Sequence, residues 1–434
     1  MPALTDPLDL ARCTLDNRLY RAPLLECAGN GPDAVETLVR ELEPAAAAGA
    51  GLLFQGGTIV RGEGGCAAPN MTRVHDPGFV ARLERLTDAV HDHGGRIFLQ
   101  LEHGGLRSLE TWHAGYREAH PGLRQLAASR PPGLLRALDR AGFLDYDVHV
   151  LSTGAVEDLA ADFGRAAERA VAAGYDGIHV AGANMGLVQQ FLSPYYNRRD
   201  DAYGGSLRER FGFLEAILDA VRDRVGPDVP VVTKVPAEVG APALVRRHLS
   251  LDDGVRLCEL AADAGFDAVV PVTGSVFWDM HLVRGEFPDR AWELERYQSG
   301  YREAFGGPLR ARAVELAHRL QARSCSFEPA WNADFCRRVR ERVSVPVFME
   351  GGLRERERME RLLGDACDAV GVGRPFYAEP RLPVRLLAEA GAETACANCN
   401  NCLVPQVTGA AGVCRTPSVL EERGRYEKAG AYER

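Results

Sequence analysis

A chain of 434 residues exceeds the roughly 250 that a plain (β/α)8 barrel needs and suits one barrel carrying long insertions. With 46% hydrophobic and 26% charged residues it can bury a sizeable core, which excludes a disordered chain. Lys plus Arg number 51 against 60 Asp plus Glu, and the resulting net charge of −9 speaks against nucleic acid or an anionic membrane as partner.

In chain order, apolar runs rich in β-branched residues fall at 18–25, 51–55, 96–101, 175–180, 229–235, 266–271, 345–349 and 368–372, and read as eight strands. Helical patterns at 33–48, 78–93, 155–173, 206–225, 251–264, 332–342 and 355–363 lie between them. The fourth opens on Ser206 with Glu209 three residues on, the spacing of a capping box, and then sets Phe211, Leu214, Leu218, Val221 and Val225 on one face. Alternating strands and helices, eight strands in all, predict the α/β class and a (β/α)8 TIM barrel. Residues 102–154 and 273–329 break the rhythm after strands three and six. In a barrel that is the active-site face, so these insertions are candidate lids or substrate walls. The expected division is a barrel over 1–390 and a cysteine-rich tail over 391–434. The start, MPALTDPLDLARC, lacks the pattern of a signal peptide and no long apolar run follows, so a cytoplasmic protein without membrane contact is expected.

Four of the eleven cysteines crowd into the tail as CANCNNCLVPQVTGAAGVC. Cys396, Cys399 and Cys402 are each separated by two residues and Cys414 follows after a Gly-rich loop, a thiolate set that suits a [4Fe-4S] cluster. A tetrathiolate zinc site is the structural alternative, although it usually arrives as two C-x-x-C knuckles; thiols carrying no metal are the third.

The segment AGYDGIHVAGANMGLVQQFLSPYYNRRDDAYGGSLRERFGFL at the fourth strand resembles the old yellow enzyme family of NADH:flavin oxidoreductases. LDNRLYRAPLL, FLQLEHGG, VPVFMEGGL and DAVGVGRPFYAEP follow the same family's order over residues 15–382. The resemblance implies FMN in the barrel mouth, NAD(P)H as electron donor or acceptor, and a small-molecule substrate. It assigns Pro23, Leu24, Leu25 and Gly57 to packing on the ring and Gln100 to its pyrimidine edge. Lys234 stands where many relatives carry Arg beside N1, and a cation there would stabilise anionic reduced flavin. Gly351, Gly352, Gly373 and Arg374 follow strands seven and eight, where barrels bind phosphate. The tail spacing resembles the trimethylamine dehydrogenase and 2,4-dienoyl-CoA reductase branch, which leaves room for an electron-transfer partner and for homo-oligomers.

At the substrate the sequence departs from the family. Relatives that reduce alkenes hold the carbonyl with a His-x-x-His or His-x-x-Asn pair and protonate with a Tyr; here those positions are Ala181, Asn184 and Gly186. His179, where relatives commonly place Glu, and Asp279 and His281 in the second insertion are candidates to replace the lost groups. Trp278 beside them, and Trp112, His113, Tyr116 and Tyr146 in the first insertion, compete for that role or pack the loops. Leu25 stands where the family often has Thr or Cys. The function expected is an FMN-dependent oxidoreductase moving hydride between NAD(P)H or an organic substrate and flavin, atypical at the ene-reductase donor positions. An amine- or alcohol-dehydrogenase type of flavoenzyme and a degraded barrel serving as a binding subunit are the alternatives.

Overall fold

The computed structural model describes residues 2–433, apart from the side chains at 404 and 405. Its eight barrel strands are β1 (Leu19–Arg21), β2 (Leu52–Ile59), β3 (Ile97–Glu102), β4 (Gly177–Val180), β5 (Val231–Ala237), β6 (Ala268–Thr273), β7 (Phe348–Glu350) and β8 (Ala369–Val372). All are parallel and run in the order β6-β5-β4-β3-β2-β1-β8-β7. A parallel bridge between Val269 and Val347 closes the ring. The predicted (β/α)8 barrel is therefore present, with each predicted strand in its place.

Hydrophobic pattern explains the layers. Residues facing the helices form one large core, in which Leu53, Leu99, Ile178, Val231 and Val269 meet Leu38, Phe163, Leu214 and Leu257. A second core fills the lower barrel with Tyr20, Phe54, Phe98, Val232 and Phe348. An antiparallel hairpin, Leu8–Leu10 with Cys13–Leu15, packs into that core, an element that the sequence pattern does not predict.

The predicted capping box is made: Ser206 Oγ accepts from Glu209 N at 3.3 Å and Glu209 Oε2 accepts from Ser206 N at 2.6 Å. The helix it starts, Leu207–Val225, lies so close to helix Thr153–Ala172 that a Cβ on Gly164 would sit 2.3 Å from the Ala220 carbonyl. The pattern at 78–93 forms two helices, Pro77–Arg82 and Glu84–His91, divided at Leu83.

Both insertions are ordered. The first holds helices Leu109–Trp112, Ala114–Ala119 and Gly133–Arg140 and a parallel strand pair, Gln125–Ala127 with Val148–Val150. The second holds Asp289–Glu293, Glu295–Ala304 and Pro308–Ala322. The tail is stitched to the barrel face. Gln406 Nε2 donates to the Leu25 carbonyl at 2.8 Å, and Asn400 Nδ2 donates to the carbonyls of Val283 and Glu286 at 2.9 Å each. Helix Pro417–Lys428 ends it. No helix among the described residues is long and apolar enough to cross a membrane.

Candidate active site

At the C-terminal end of the barrel lies a cavity of about 700 Å³, within the range of roughly 300–1,000 Å³ typical of ligand pockets. Pro23, Leu24 and Leu25 after β1, Gln100 on β3, Lys234 on β5, and Gly351, Gly352, Gly373 and Arg374 after β7 and β8 all line it. These are the residues expected to hold FMN, with one exception. Gly57 lies in the irregular stretch of β2, where the register with β3 shifts between Gln55 and Thr58, and its N–H donates to Gln100 Oε1 at 2.9 Å. It orients the amide and does not line the cavity.

Gln100 is held from its other side by His179, whose Nδ1 lies 2.9 Å from Gln100 Nε2. His179 is fully buried behind Gln100 with its ring 5.0 Å from Phe54, and burial, then the nearby Lys234 charge, hold its pKa well below the usual histidine value. A neutral imidazole with no opening to the cavity cannot reach a substrate. The structure thus corrects the expectation that His179 replaces a lost catalytic charge.

Lys234 is buried and paired with Glu350, Nζ to Oε2 at 2.6 Å. Glu350 also accepts from Tyr20 Oη at 3.4 Å. The cation reaches the cavity already matched by a carboxylate, which the sequence reading did not anticipate. Arg374 differs from expectation too. Its guanidinium donates to the carbonyls of Val283 and Arg284 and to Asn400 Oδ1, so much of it is spent on the second insertion and the tail.

Gly351 and Gly352 have φ of +102° and +70°, the region in which a side chain is strained. A Cβ on Gly352 would lie 2.4 Å from Glu328 O and 2.6 Å from Ala330 N. Gly352→Ala is therefore expected to destabilise the protein by about 1–3 kcal/mol and to lower the flavin retained on purification. Denaturant unfolding and the yield of heat-released flavin measure both effects.

The insertions supply the cavity's outer wall. Trp112 lies 5.7 Å from Trp278 and 6.1 Å from Phe305, and the Arg107 guanidinium sits 4.4 Å over the Trp278 ring. Asn184 lines the cavity with φ +64°, and its carbonyl accepts from Arg107. Asp279 lines it too, its Oδ1 accepting from His281 N and pairing with His281 Nδ1, both at 2.9 Å. Hydrogen bonds to Asp279 and Cys325 push the His281 pKa up to about 10, so at neutral pH it is a paired cation, and it stands outside the cavity lining. Of the competing aromatic groups, His113 caps a helix by accepting from Tyr116 N, Tyr116 stacks on His120, and Tyr146 packs with Leu135 and Tyr196.

Sequence reasoning missed the buried Glu102 and the largely covered Arg107, both in the cavity lining. The signal for Glu102 was available: it follows Gln100 by two, so strand periodicity puts both on one face.

Cys396, Cys399, Cys402 and Cys414 line one small cavity together with Arg374, Tyr377 and Thr416. Among the described residues no group of three or more His, Cys, Asp or Glu side chains is placed to hold a single metal ion. Arg374 borders both cavities.

A parallel barrel whose C-terminal mouth carries glycines of positive φ, a buried amide and a buried cation has the parts that a phosphate-bearing cofactor needs. The sequence model of the NADH:flavin oxidoreductase / NADH oxidase family matches residues 3–241, and the chain belongs to that family of FMN-dependent enzymes. It is 28% identical to 4,4'-dithiodibutanoate disulfide reductase of Rhodococcus erythropolis over 98% of each chain. It is 26% identical to an NADH oxidase of Thermoanaerobacter brockii over 92% of this chain and 52% of that protein, and so spans about half the length of that relative. Histamine dehydrogenase from Rhizobium sp. 4-9 shares the fold with a TM-score of 0.71 at 21% identity, over 96% of this chain and 53% of that one. Morphinone reductase in complex with tetrahydroNAD does so with a TM-score of 0.63 at 22% identity, over 92% and 94%.

Proposed function

We propose that this enzyme takes electrons from NAD(P)H and reduces a small, carboxylate-bearing acceptor, with FMN in the barrel and a [4Fe-4S] cluster in the tail. The observation that carries the reading is one cavity lined by Gln100, Lys234, the glycines and Arg374, with Arg374 and Asn398 also bordering the four-cysteine cavity. FMN supplies hydride transfer when bound. Pro23, Leu24 and Leu25 would pack on it, Gln100 would meet the amide-like ring edge, Lys234 would face developing negative charge, and Gly351, Gly352 and Gly373 would admit the phosphate.

The three-plus-one spacing of the thiols suits a [4Fe-4S] cluster, whereas a tetrathiolate zinc site usually takes two C-x-x-C knuckles. Arg107, a largely covered cation in the cavity lining, suits a carboxylate on the acceptor. The relative from Rhodococcus erythropolis, matched over nearly its whole length, is named for a disulfide that carries carboxylates. Anaerobic purification followed by a visible spectrum, chromatography of the released flavin, and iron and sulfide assays test the cofactors. FMN with four irons and four sulfides per chain is expected, by the roughly one-thiolate-per-iron stoichiometry of such clusters. FAD as the main flavin, or one zinc and no iron, would overturn that assignment. Bleaching by NAD(P)H and recovery on adding 4,4'-dithiodibutanoate test the direction.

A further inference from the structure

We propose that Glu102 is the proton donor to the acceptor, standing beside Gly186 in the space that alkene-reducing relatives give to a Tyr. The inference rests on the reductive reading above and names the acid which that reading otherwise lacks.

Geometry carries it. A Cβ built on Gly186 would lie 3.6 Å from Glu102 Oε1, and one built on Gly57 would lie 3.5 Å from Oε2. The space at Gly57 is already filled by Leu25 Cδ2 and Met71 Cε, 2.5 and 3.0 Å from such a Cβ, so the carboxyl group, at the end of β3 and in the cavity lining, has its unfilled side at Gly186. Its Oε1 is buried and without a hydrogen-bond partner among the described residues; Arg107 Nη1 comes to 3.5 Å, but that guanidinium already donates to the Asn184 carbonyl and lies over Trp278.

Two cations face this carboxyl, Arg107 from the start of the first insertion and Lys234 from β5, and Glu350 on β7 matches the second of them. Burial outweighs both and raises the Glu102 pKa above the usual carboxylate value, which keeps a transferable proton nearer to neutral pH. The competing acids are worse placed. His179 is shut behind Gln100, His281 lies outside the lining, and Asp279 is occupied by His281.

NAD(P)H supplies two electrons as a hydride equivalent, which reaches one atom of a disulfide or polarised double bond and forms a new bond to hydrogen there. The electron pair of the broken S–S or π bond moves to the second atom. The Glu102 O–H bond breaks, its proton goes to that atom, and the carboxylate is reprotonated from water. The acceptor is reduced by two electrons and NAD(P)H becomes NAD(P)+.

The test compares the wild type with Glu102→Gln and Glu102→Asp in anaerobic stopped-flow. Flavin reoxidation by 4,4'-dithiodibutanoate and by cyclohexenone is followed separately from flavin reduction by NADH or NADPH. In Glu102→Gln reoxidation is expected to slow by about a hundredfold or more, far beyond any change in reduction, and to lose its solvent deuterium isotope effect. Glu102→Asp should restore part of the rate. Equal slowing of both half-reactions, or unimpaired reoxidation in Glu102→Gln, overturns the proposal.

A second readout needs no flavin. Difference infrared spectra of the flavin-free protein, taken across a pH titration, should show a protonated-carboxyl band that persists above the pH of ordinary glutamates and disappears in Glu102→Gln. Absence of that band overturns the role of Glu102 in itself. A wild type that shows the band but whose flavin neither nicotinamide reduces would instead refute the reductive reading.

Discussion

With the proposed [4Fe-4S] cluster in the tail, changing any one of Cys396, Cys399, Cys402 and Cys414 to Ser is expected to remove all the iron and sulfide, together with a broad visible absorbance beneath the flavin bands. The four side chains surround one cavity, and a cluster that loses one thiolate loses an anchor for the whole inorganic core. The loss should spread beyond the tail. Arg374 contributes to both cavities, and its hydrogen bonds to Asn400 and to the carbonyls of Val283 and Arg284 join the segment between Cys399 and Cys402 to the second insertion. Because metal binding and local folding are coupled, the segment should become sensitive to protease and the flavin should exchange faster. Iron and sulfide assays beside limited proteolysis measure this. Full iron in the Cys414→Ser protein would remove that residue from the ligand set, and zinc in the wild type would turn the site into a structural staple.

The scaffold was legible in the sequence because its causes are local. Strand runs and capping residues follow from side-chain pattern, and the Ser206/Glu209 box is made as its spacing requires. What the sequence hid depends on partners far along the chain. Arg374 follows Gly373 and therefore reads as a phosphate ligand, yet its partners lie about ninety residues earlier at Val283 and Arg284 and across the tail at Asn400. His179 reads as an acid on the substrate face of β4, but the barrel places Gln100 in front of it. Gly57 reads as a ring contact, and a register shift in β2 turns its N–H to Gln100. Glu102 is the reverse case. Its place two residues after Gln100 puts it on the cavity face of β3, and the fold adds that its carboxyl stands beside Gly186 from the next strand's loop.

The Lys234–Glu350 pair carries the second large expectation, because its two members should move the flavin potential in opposite directions. A cation beside the ring favours the anionic reduced form, so Lys234→Met is expected to lower the midpoint potential by about 30 mV or more, equivalent to about 1.4 kcal/mol over two electrons. Glu350 matches that cation at 2.6 Å and lines the same cavity, so Glu350→Gln should unmask the charge and raise the potential by a similar amount. The double variant should return toward the wild-type value, since a neutral pair and a matched ion pair present nearly the same net charge to the ring. Breaking a buried pair by removing one partner costs about 3–5 kcal/mol if the other stays ionised, so Lys234→Met should also unfold at lower denaturant than the double variant. Spectroelectrochemical titration of the three proteins beside the wild type gives the potentials, and denaturant unfolding gives the stabilities. Three unchanged potentials with flavin bound would mean that the pair holds β5 to β7 and does not face the ring; opposite shifts that cancel in the double variant would place both groups within reach of the charge that forms on reduction.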